Sequence, residues 1–551
     1  MIPNEQVAKM YELTEEQAML RETLAEFTND EIIPKREKLD KEAIYPRAIH
    51  DSLAEIGVLG MAVPEDCGGL GMGSVELALV YEQLARGCAG VATGIGANLL
   101  GSDPILIYGT EDQKQRFLTK IAEGAVGAYA LTEPNAGTDA GGITTTATKS
   151  EDGLTYKLKG QKTYITNAGI ASIYTIFALT DPSKGSRGVT CFIAEIDPDN
   201  LPEGIFFPDK FDKMGINASE TREIIFDEFE VRTENILGGK LGRGFLQAMG
   251  VFDISRPMIG AMGVGLGQSA FDASLRYAHE RMQFGQAIIN FSGLRQMFVD
   301  MWLRIEGARA MVMGAARKVD KKYHQGEKID VTAWAAMAKF MGSEASRVSY
   351  DAMQATGGYG YMNETPFPKF IRDQKVLEIF EGTNQIQREQ AGRQLINRFQ
   401  KSGTAVPSEG EDSFAISQGF GGEQAALAWQ VVDATMEQVL FKREGAESLN
   451  ERQEVHWVLG EMAGLAEAAR FLSEACARSG ESADSYQQAL GQTYAREAVV
   501  GVAARSEMIL RGGVPEAHDA VAALLHEART CANGLFAYRD RLGEELLRRS
   551  F

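Results

Sequence analysis

The sequence predicts a mainly α protein with a central β domain: an N-terminal helical domain, a β-barrel-like domain, a four-helix bundle and an extra C-terminal helical domain. Three observations carry this. Apolar residues recur at three- and four-residue spacing before about Gly124 and again after Gly244, the period of an amphipathic helix. Between these stretches, β-branched and polar residues alternate in short runs closed by Gly, Asp and Pro, the period of a strand. The chain has 551 residues, 44% hydrophobic and 24% charged, a globular composition with room for several cores.

Taken in order, Thr14 to Gly124 reads as helices broken at VPEDCGGLGMG and at Gly109 to Asp112, giving an N-terminal domain over 1–127. The β domain, 128–240, contains four expected strands: Leu154 to Tyr164, Ser172 to Leu179, Gly188 to Ile196 and Glu223 to Val231. Four or so antiparallel helices are expected over 241–400. Residues 401–422 are rich in Gly, Ser and acid, a linker by composition. The last segment, 423–551, is expected to form four helices with breaks at Gly445, Gly480 and Gly512-Gly513. One apolar face runs from Val455 to Leu472 and another from Val521 to Leu542.

Charge and cysteine usage exclude several functions. With 56 basic and 76 acidic residues the net charge is −20, which repels nucleic acid and anionic membrane. The five cysteines are scattered without metal-ligand spacing, so a reducing compartment and no metal site are expected. The N-terminal stretch has neither the apolar core of a signal peptide nor the Arg-rich look of a transit peptide, and no apolar run is long enough to span a membrane. A cytoplasmic protein is the expectation.

The chemistry centres on Ile379-Phe380-Glu381-Gly382-Thr383-Asn384-Gln385-Ile386-Gln387-Arg388. Glu381 stands between large apolar residues and a glycine, and burial beside Ile379 and Phe380 would make it a base able to take a proton from carbon. Alone, a glutamate before Gly-Thr is more often a solvated residue near a helix start. Neither a Gly-rich dinucleotide fingerprint at a strand-to-helix junction nor a P-loop is present. Gly263, Gly265 and Gly267 sit in a helical pattern and are read as close helix packing.

Three further segments change the odds on Glu381: Tyr129-Ala-Leu-Thr-Glu-Pro-Asn-Ala-Gly-Thr-Asp139, Lys162-Thr-Tyr-Ile-Thr-Asn167 and Gln354-Ala-Thr-Gly-Gly-Tyr-Gly-Tyr361. With the Glu381 stretch they resemble, in order and separation, the signatures of the acyl-CoA dehydrogenase family. The resemblance covers residues 10 to 400, and the C-terminal extension, Phe380 and the NFSG variation resemble its very-long-chain branch. It implies FAD bound between the β domain and the bundle, with Tyr129, Leu131, Thr132, Gly137 and Thr138 lining the flavin. Tyr164 would pack near the ring and the Thr166 hydroxyl would reach flavin N5. Thr383 and Gln385 are implied as further cofactor contacts. Arg281 and Phe284 match residues that hold a neighbouring subunit's FAD, and Gln354, Gly357 and Gly358 match its diphosphate and adenosine contacts. Ser292 stands where the family often has Gln.

The resemblance also assigns Glu381 as the catalytic base and Gly382, Thr138, Asp253, Ser255 and Arg256 to the acyl-CoA substrate. Arg256 equally reads as a structural ion pair. Ala92 and Gly96 stand where medium-chain relatives carry larger polar residues, which implies a deep acyl pocket for long or bulky chains. The implied reaction is α,β-dehydrogenation to a trans-2-enoyl-CoA, with electron-transfer flavoprotein as acceptor of the electrons and a homodimer as the assembly. An acyl-CoA oxidase, or a non-catalytic scaffold on the same fold, stays open.

Overall fold

The computed structural model describes residues 4–407, 414–441, 451–479, 485–513 and 518–549. The chain divides into two compact units, one of Leu24–Ser255 and one of Met1–Thr23 with Arg256–Phe551. Of the expected breaks in the extension, Gly445 and Gly480 lie outside the described residues.

In the first unit the helices Ser74–Gly87 and Ala89–Tyr108 precede a curled seven-stranded sheet. Its strands are β1 (Gly127–Ala130), β2 (Thr146–Lys149), β3 (Thr155–Thr166), β4 (Ile173–Leu179), β5 (Val189–Glu195), β6 (Ile205–Phe206) and β7 (Thr221–Arg232). The four expected strands are β3, β4, β5 and β7; β1, β2 and β6 are additional. They escape a periodicity reading because two to four residues are too few to show alternation. The order is β1-β4-β2-β3-β7-β6, with β5 antiparallel to β4 along its length. β4 is buried on both faces: Tyr174, Ile176 and Ala178 enter one core with Phe192 and Phe226, whereas Ile173 and Phe177 enter another with Val189, Cys191 and Phe117. Period two thus splits one strand between two cores.

The 89–108 helix lies close against β1. A side chain at Gly101 would meet the backbone of Ala128, Asn98 accepts from the Gly127 amide, and Thr175 donates to the Gly101 carbonyl at 3.2 Å. At the far end of β3, Asn167 has φ 66° and donates to the carbonyls of Gly94 (2.9 Å) and Gly127 (3.1 Å). An amide side chain there joins helix to sheet.

The second unit holds the rest of the 37-residue helix Gly244–Glu280, then Ser292–Tyr323, Thr332–Ala345, Val348–Thr356, Phe367–Leu377 and Asn384–Ser402. Six helices replace the four or so expected, because the short 348–356 and 367–377 helices interrupt the bundle before its last member. A hairpin, β8 (Met282–Gln283) and β9 (Gln286–Ala287), follows the first helix; its two-residue turn, Phe284-Gly285, has φ of 51° and 80°. The close helix packing read from Gly263 and Gly267 is present: side chains there would run into the backbone of Gly342 and Ala345.

Beyond Ser402 the described helices are Gly422–Phe441, Gln453–Arg478, Tyr486–Gly513, His518–Thr530 and Leu535–Arg548. Five helices therefore stand where four are expected, since the apolar face from Val521 to Leu542 is two helices. Gly534, at φ 74°, ends the continuity by forming the N-cap of the last one. These helices pack on the bundle through reciprocal glycines. A side chain at Gly392 would meet the carbonyl of His456, and one at Gly460 the carbonyl of Arg388. Buried Trp334 donates to Glu467 at 2.8 Å across the same junction. Residues after the 384–402 helix are tied down as well: Asp433 accepts from the Thr404 hydroxyl and the Ala405 amide, both at 2.6 Å.

Candidate active site

The turn from Glu378 to Asn384 joins the 367–377 and 384–402 helices, and Glu381 stands at its apex with φ 58°. Left-handed backbone at a non-glycine residue is uncommon and persists where the surroundings enforce it. The enforcement is visible. Gly382 continues the turn at φ 86°, and the Gln387 amide donates to the carbonyls of Glu381 (3.3 Å) and Gly382 (3.2 Å). The Asn384 amide donates to the Glu378 carbonyl at 3.0 Å. Arg347 grips the Glu378 carboxylate with two bonds, Nε to Oε1 at 2.8 Å and Nη2 to Oε2 at 2.9 Å. Burial pushes the Glu378 carboxyl up, but Arg347 and Lys375 outweigh it and hold it below the usual range.

Beneath the turn lies Lys339, fully buried on the 332–345 helix. Its ammonium donates to Asn384 Oδ1 at 2.8 Å, and Ser343 donates to the same oxygen at 3.1 Å. Burial pulls the Lys339 amine down to about 7, opposed chiefly by the negative charge of Glu381.

The expected burial of Glu381 between Ile379 and Phe380 is not what the chain does. Ile379 is 50% exposed, and both Phe380 and Glu381 are only half-buried. The reason is geometric: after the 367–377 helix ends, the chain turns too sharply for consecutive side chains to enclose one another. What marks Glu381 is its backbone conformation over a buried cation. Thr383, at the N-cap of the last bundle helix, is half-buried, and Gln385 is exposed.

The other unit presents the two β-domain segments side by side. The Thr163 amide donates to the Thr132 carbonyl at 2.9 Å, joining the residues after β1 to β3. A buried ion pair locks them together. Lys162 Nζ lies 2.7 Å from Glu133 Oε1 and donates to the Leu131 carbonyl at 3.1 Å, while Glu133 accepts from the amides of Thr144 (2.6 Å) and Thr145 (3.0 Å). Burial raises the Glu133 carboxyl, but Lys162 and the threonines win and bring it to about 2. Glu133 and Lys162 both sit inside the motifs but are not expected as functional positions: each is one charge among Thr, Pro, Gln and Asn, and no local pattern sets it apart.

Around this clasp, Tyr129 packs against Phe177 at 5.0 Å and Phe252 at 6.0 Å, and Leu131 is buried. Thr132 and Thr166 are half-buried, and Gly137 and Thr138 exposed. Tyr164 has φ 58°, falls within an irregularity of the β3–β7 pairing, and is 66% exposed against Phe211. Asp253 and Ser255 are buried in the helix that opens at Gly244. Ala92 is buried, and Gly96 is covered: a Cβ there would lie 2.8 Å from Tyr81 Cε1, and the Tyr81 hydroxyl donates to the Gly96 carbonyl at 3.2 Å.

In the second unit Arg256 is buried and donates to Gln390 at 2.8 Å. Arg281 is exposed before the hairpin, and Phe284 at its tip is 93% exposed. Gln354, Gly357 and Gly358 are exposed at the end of the 348–356 helix. A Cβ at Gly357 or Gly358 would meet nothing within 4 Å, and the same is true of Gly137 in the first unit. Gly357, at φ 60°, favours glycine for its backbone alone; at Gly358 and Gly137 packing within the chain does not require it, which leaves bare backbone that fits close approach of a diphosphate or ring. Among the described residues no group of three metal-ligating side chains occurs, and no helix is long and apolar enough to cross a membrane.

The N-terminal, middle and C-terminal domain models of acyl-CoA dehydrogenases match residues 14–125, 128–229 and 242–396. The chain belongs to the acyl-CoA dehydrogenase family: it is an FAD-dependent acyl-CoA dehydrogenase. It is 40% identical over 383 residues to the short-chain-specific acyl-CoA dehydrogenase of Megasphaera elsdenii, covering 68% of this chain and 97% of that protein. A chain of the solved electron transferring flavoprotein of Acidaminococcus fermentans is 40% identical, with a TM-score of 0.66 over 70% of this chain and 98% of that one. An acyl-CoA dehydrogenase from Bacillus anthracis, solved with FAD, is 25% identical with a TM-score of 0.86, covering 99% of this chain and 97% of its own. That last likeness takes in the helices beyond Ser402. The very-long-chain resemblance is not shown by these relatives, among which the Megasphaera elsdenii protein is short-chain specific.

Proposed function

We propose that the enzyme converts an acyl-CoA thioester to a trans-2-enoyl-CoA, with Glu381 as the base that removes the α-proton. The observation that carries this is the left-handed Glu381 turn, over-determined by Gln387, Asn384 and Arg347, in the chain's match to the family's C-terminal domain. Bound FAD supplies the acceptor for the β-hydride. The residues offered to it in the first unit are Tyr129, Leu131, Thr132, Gly137, Thr138, Tyr164 and Thr166. Of these, Leu131 and Thr132 are held by the Glu133–Lys162 clasp and the Thr163 amide. Thr166 offers a hydroxyl where negative charge develops, a donor of the kind that favours hydride arrival.

In the second unit Thr383, Gln385, Arg281, Phe284, Gln354, Gly357 and Gly358 serve the cofactor. Phe284 stands exposed on the hairpin turn and Arg281 exposed just before the hairpin, which supports a role towards a neighbouring subunit in a homodimer. Gly382, Thr138, Asp253, Ser255 and Arg256 serve the substrate. Electron-transfer flavoprotein takes the electrons, supported by the likeness to the Acidaminococcus fermentans chain.

The acyl group is short on one reading and long on another. The Tyr81 ring over Gly96 and the short-chain relative favour a short chain. The small residues Ala92 and Gly96 favour a long one if Tyr81 can swing aside.

Glu381→Gln tests the assignment. The variant keeps its FAD, binds acyl-CoA and no longer bleaches the flavin on mixing; bleaching at the wild-type rate would move the base elsewhere.

A further inference from the structure

The ion pairs around the Glu378–Asn384 turn do not stop at the bundle; they run on into the C-terminal helices, a part of the chain to which the reaction gives no task. Arg347, which grips the Glu378 carboxylate, lies 3.1 Å from Glu344 on the 332–345 helix. Glu344 accepts from Arg388 at 2.8 and 2.9 Å and from the Asn384 side-chain amide at 3.3 Å. Arg388, which closes the motif that carries Glu381, also donates through Nε to Glu461 at 2.7 Å, and Glu461 accepts from Arg505 at 2.8 Å. Six charges of alternating sign thus join the 486–513 and 453–478 helices to the turn. Close packing sets where Glu461 stands in this chain. A side chain at Gly460, its neighbour, would meet the Arg388 carbonyl, and one at Gly464, a turn further on, would meet the Phe340 ring, over which the Arg388 guanidinium lies at 5.0 Å. Isolated surface pairs contribute little, but the Arg388 and Glu344 side chains are only 13% and 20% exposed and each has charged partners on both sides.

We propose that Glu461 is a positioning residue for the dehydrogenation: through Arg388, Glu344 and Arg347, the C-terminal extension supplies the outer support of the turn that presents Glu381. The turn needs support from outside itself, because Glu381 and Gly382 are both left-handed and such a bend at a non-glycine residue is kept only by its surroundings. Its two ends are Glu378 and Asn384, whose backbones are bonded to one another. Glu344 acts on both ends, on Asn384 directly and on Glu378 by way of Arg347. Glu344 is in turn held by Arg388, and Arg388 by Glu461. Without the Glu461 carboxylate, Arg388 and Arg505 are left with no anion between them, and a shift of Arg388 is passed to Glu344 and so to both ends of the turn.

This inference rests on the assignment of Glu381 as base, and the two fail differently. Full-length, FAD-loaded enzyme is mixed anaerobically with butyryl- or palmitoyl-CoA, whichever bleaches the wild-type flavin faster. The limiting rate of bleaching and the half-saturating concentration are measured for Glu461→Gln, Glu378→Gln, the double variant and Asp433→Ala. Glu461→Gln lowers the limiting rate by about tenfold or more, as a small displacement of a reacting group does, while half-saturation and FAD content stay within about twofold of wild type. In the double variant the two losses do not multiply, because both cut one chain of contacts. Asp433→Ala removes the tie to Thr404 and Ala405, which loosens the extension away from that chain, and leaves the rate unchanged. A wild-type rate in Glu461→Gln overturns the proposal. So do losses that multiply in the double variant, or an equal loss in Asp433→Ala, which would trace the effect to a loosened extension. If Glu461→Gln gives no soluble protein, Glu461→Asp is read in its place, since its shorter side chain keeps the charge but cannot reach both arginines. Wild-type bleaching by Glu381→Gln removes the base assignment and this inference with it, whereas a wild-type rate in Glu461→Gln beside a silent Glu381→Gln removes the inference alone.

Discussion

At Glu133 and Lys162 the two β-domain motifs are fastened by charges withdrawn from water, and the energetics of such a pair are lopsided. Removing one partner leaves the other buried and unsatisfied, so Glu133→Gln is expected to destabilise the protein by about 3–5 kcal/mol, read from the urea midpoint. Loss of retained FAD should accompany it, because Leu131, Thr132 and Thr163 are aligned by the same contacts. The pair also sets an acid limit. Glu133 is held at about 2, below its ordinary value of 4.5, so its contribution is complete above about 4.5 and is lost as pH falls from there through about 2. Acid denaturation followed by near-UV circular dichroism should show a transition in that window that Glu133→Gln lacks. An unchanged acid transition in the variant would mean that the pair does not govern it. Neither residue stands out in the sequence, where each is one charge in a motif otherwise read for its Gly, Thr and Tyr. Partnership between positions 29 residues apart exists only once β3 lies beside the segment after β1.

Among the elements, the junction between the bundle and the C-terminal helices depends on bare backbone at Gly392 and Gly460. A side chain at either meets a carbonyl of the opposing helix, which cannot rotate away. Gly392→Val is expected to destabilise the protein by about 1–3 kcal/mol or more through overpacking and to loosen the extension, measured as increased protease cleavage after Ser402. Resistance equal to wild type would show that the helices part without cost. Elements were readable in the sequence in proportion to their length. Long amphipathic helices and the strands of seven or more residues announce themselves by period, whereas β1, β2, β6 and the 282–287 hairpin are too short to do so. The apolar face from Val521 to Leu542 continues in register across Gly534, which is why periodicity joined two helices into one. Glu381 was legible through its motif, but the reason given for it was not: its distinction is a turn conformation and a cation on another helix, and no local pattern encodes either.

For the molecule as a whole, the extension buries its apolar faces on the bundle of its own chain, with Leu459, Met462 and Ala466 fully covered. Truncation after Gln400 should therefore expose apolar surface and give aggregates or a larger oligomer by light scattering, while full-length protein runs as a homodimer. A soluble dimeric truncation, or a tetrameric full-length protein, would remove the basis for that assembly. The central claim, however, is the reaction, and one measurement addresses it without intermediaries. Purified enzyme loaded with FAD is mixed anaerobically with a saturated acyl-CoA, butyryl- and palmitoyl-CoA in parallel, while flavin absorbance is followed and the product is identified. The account predicts bleaching with at least one of them and formation of the trans-2-enoyl-CoA, both abolished by Glu381→Gln. Flavin that stays oxidised with every acyl-CoA offered, or product formed equally well by the Gln variant, would contradict it.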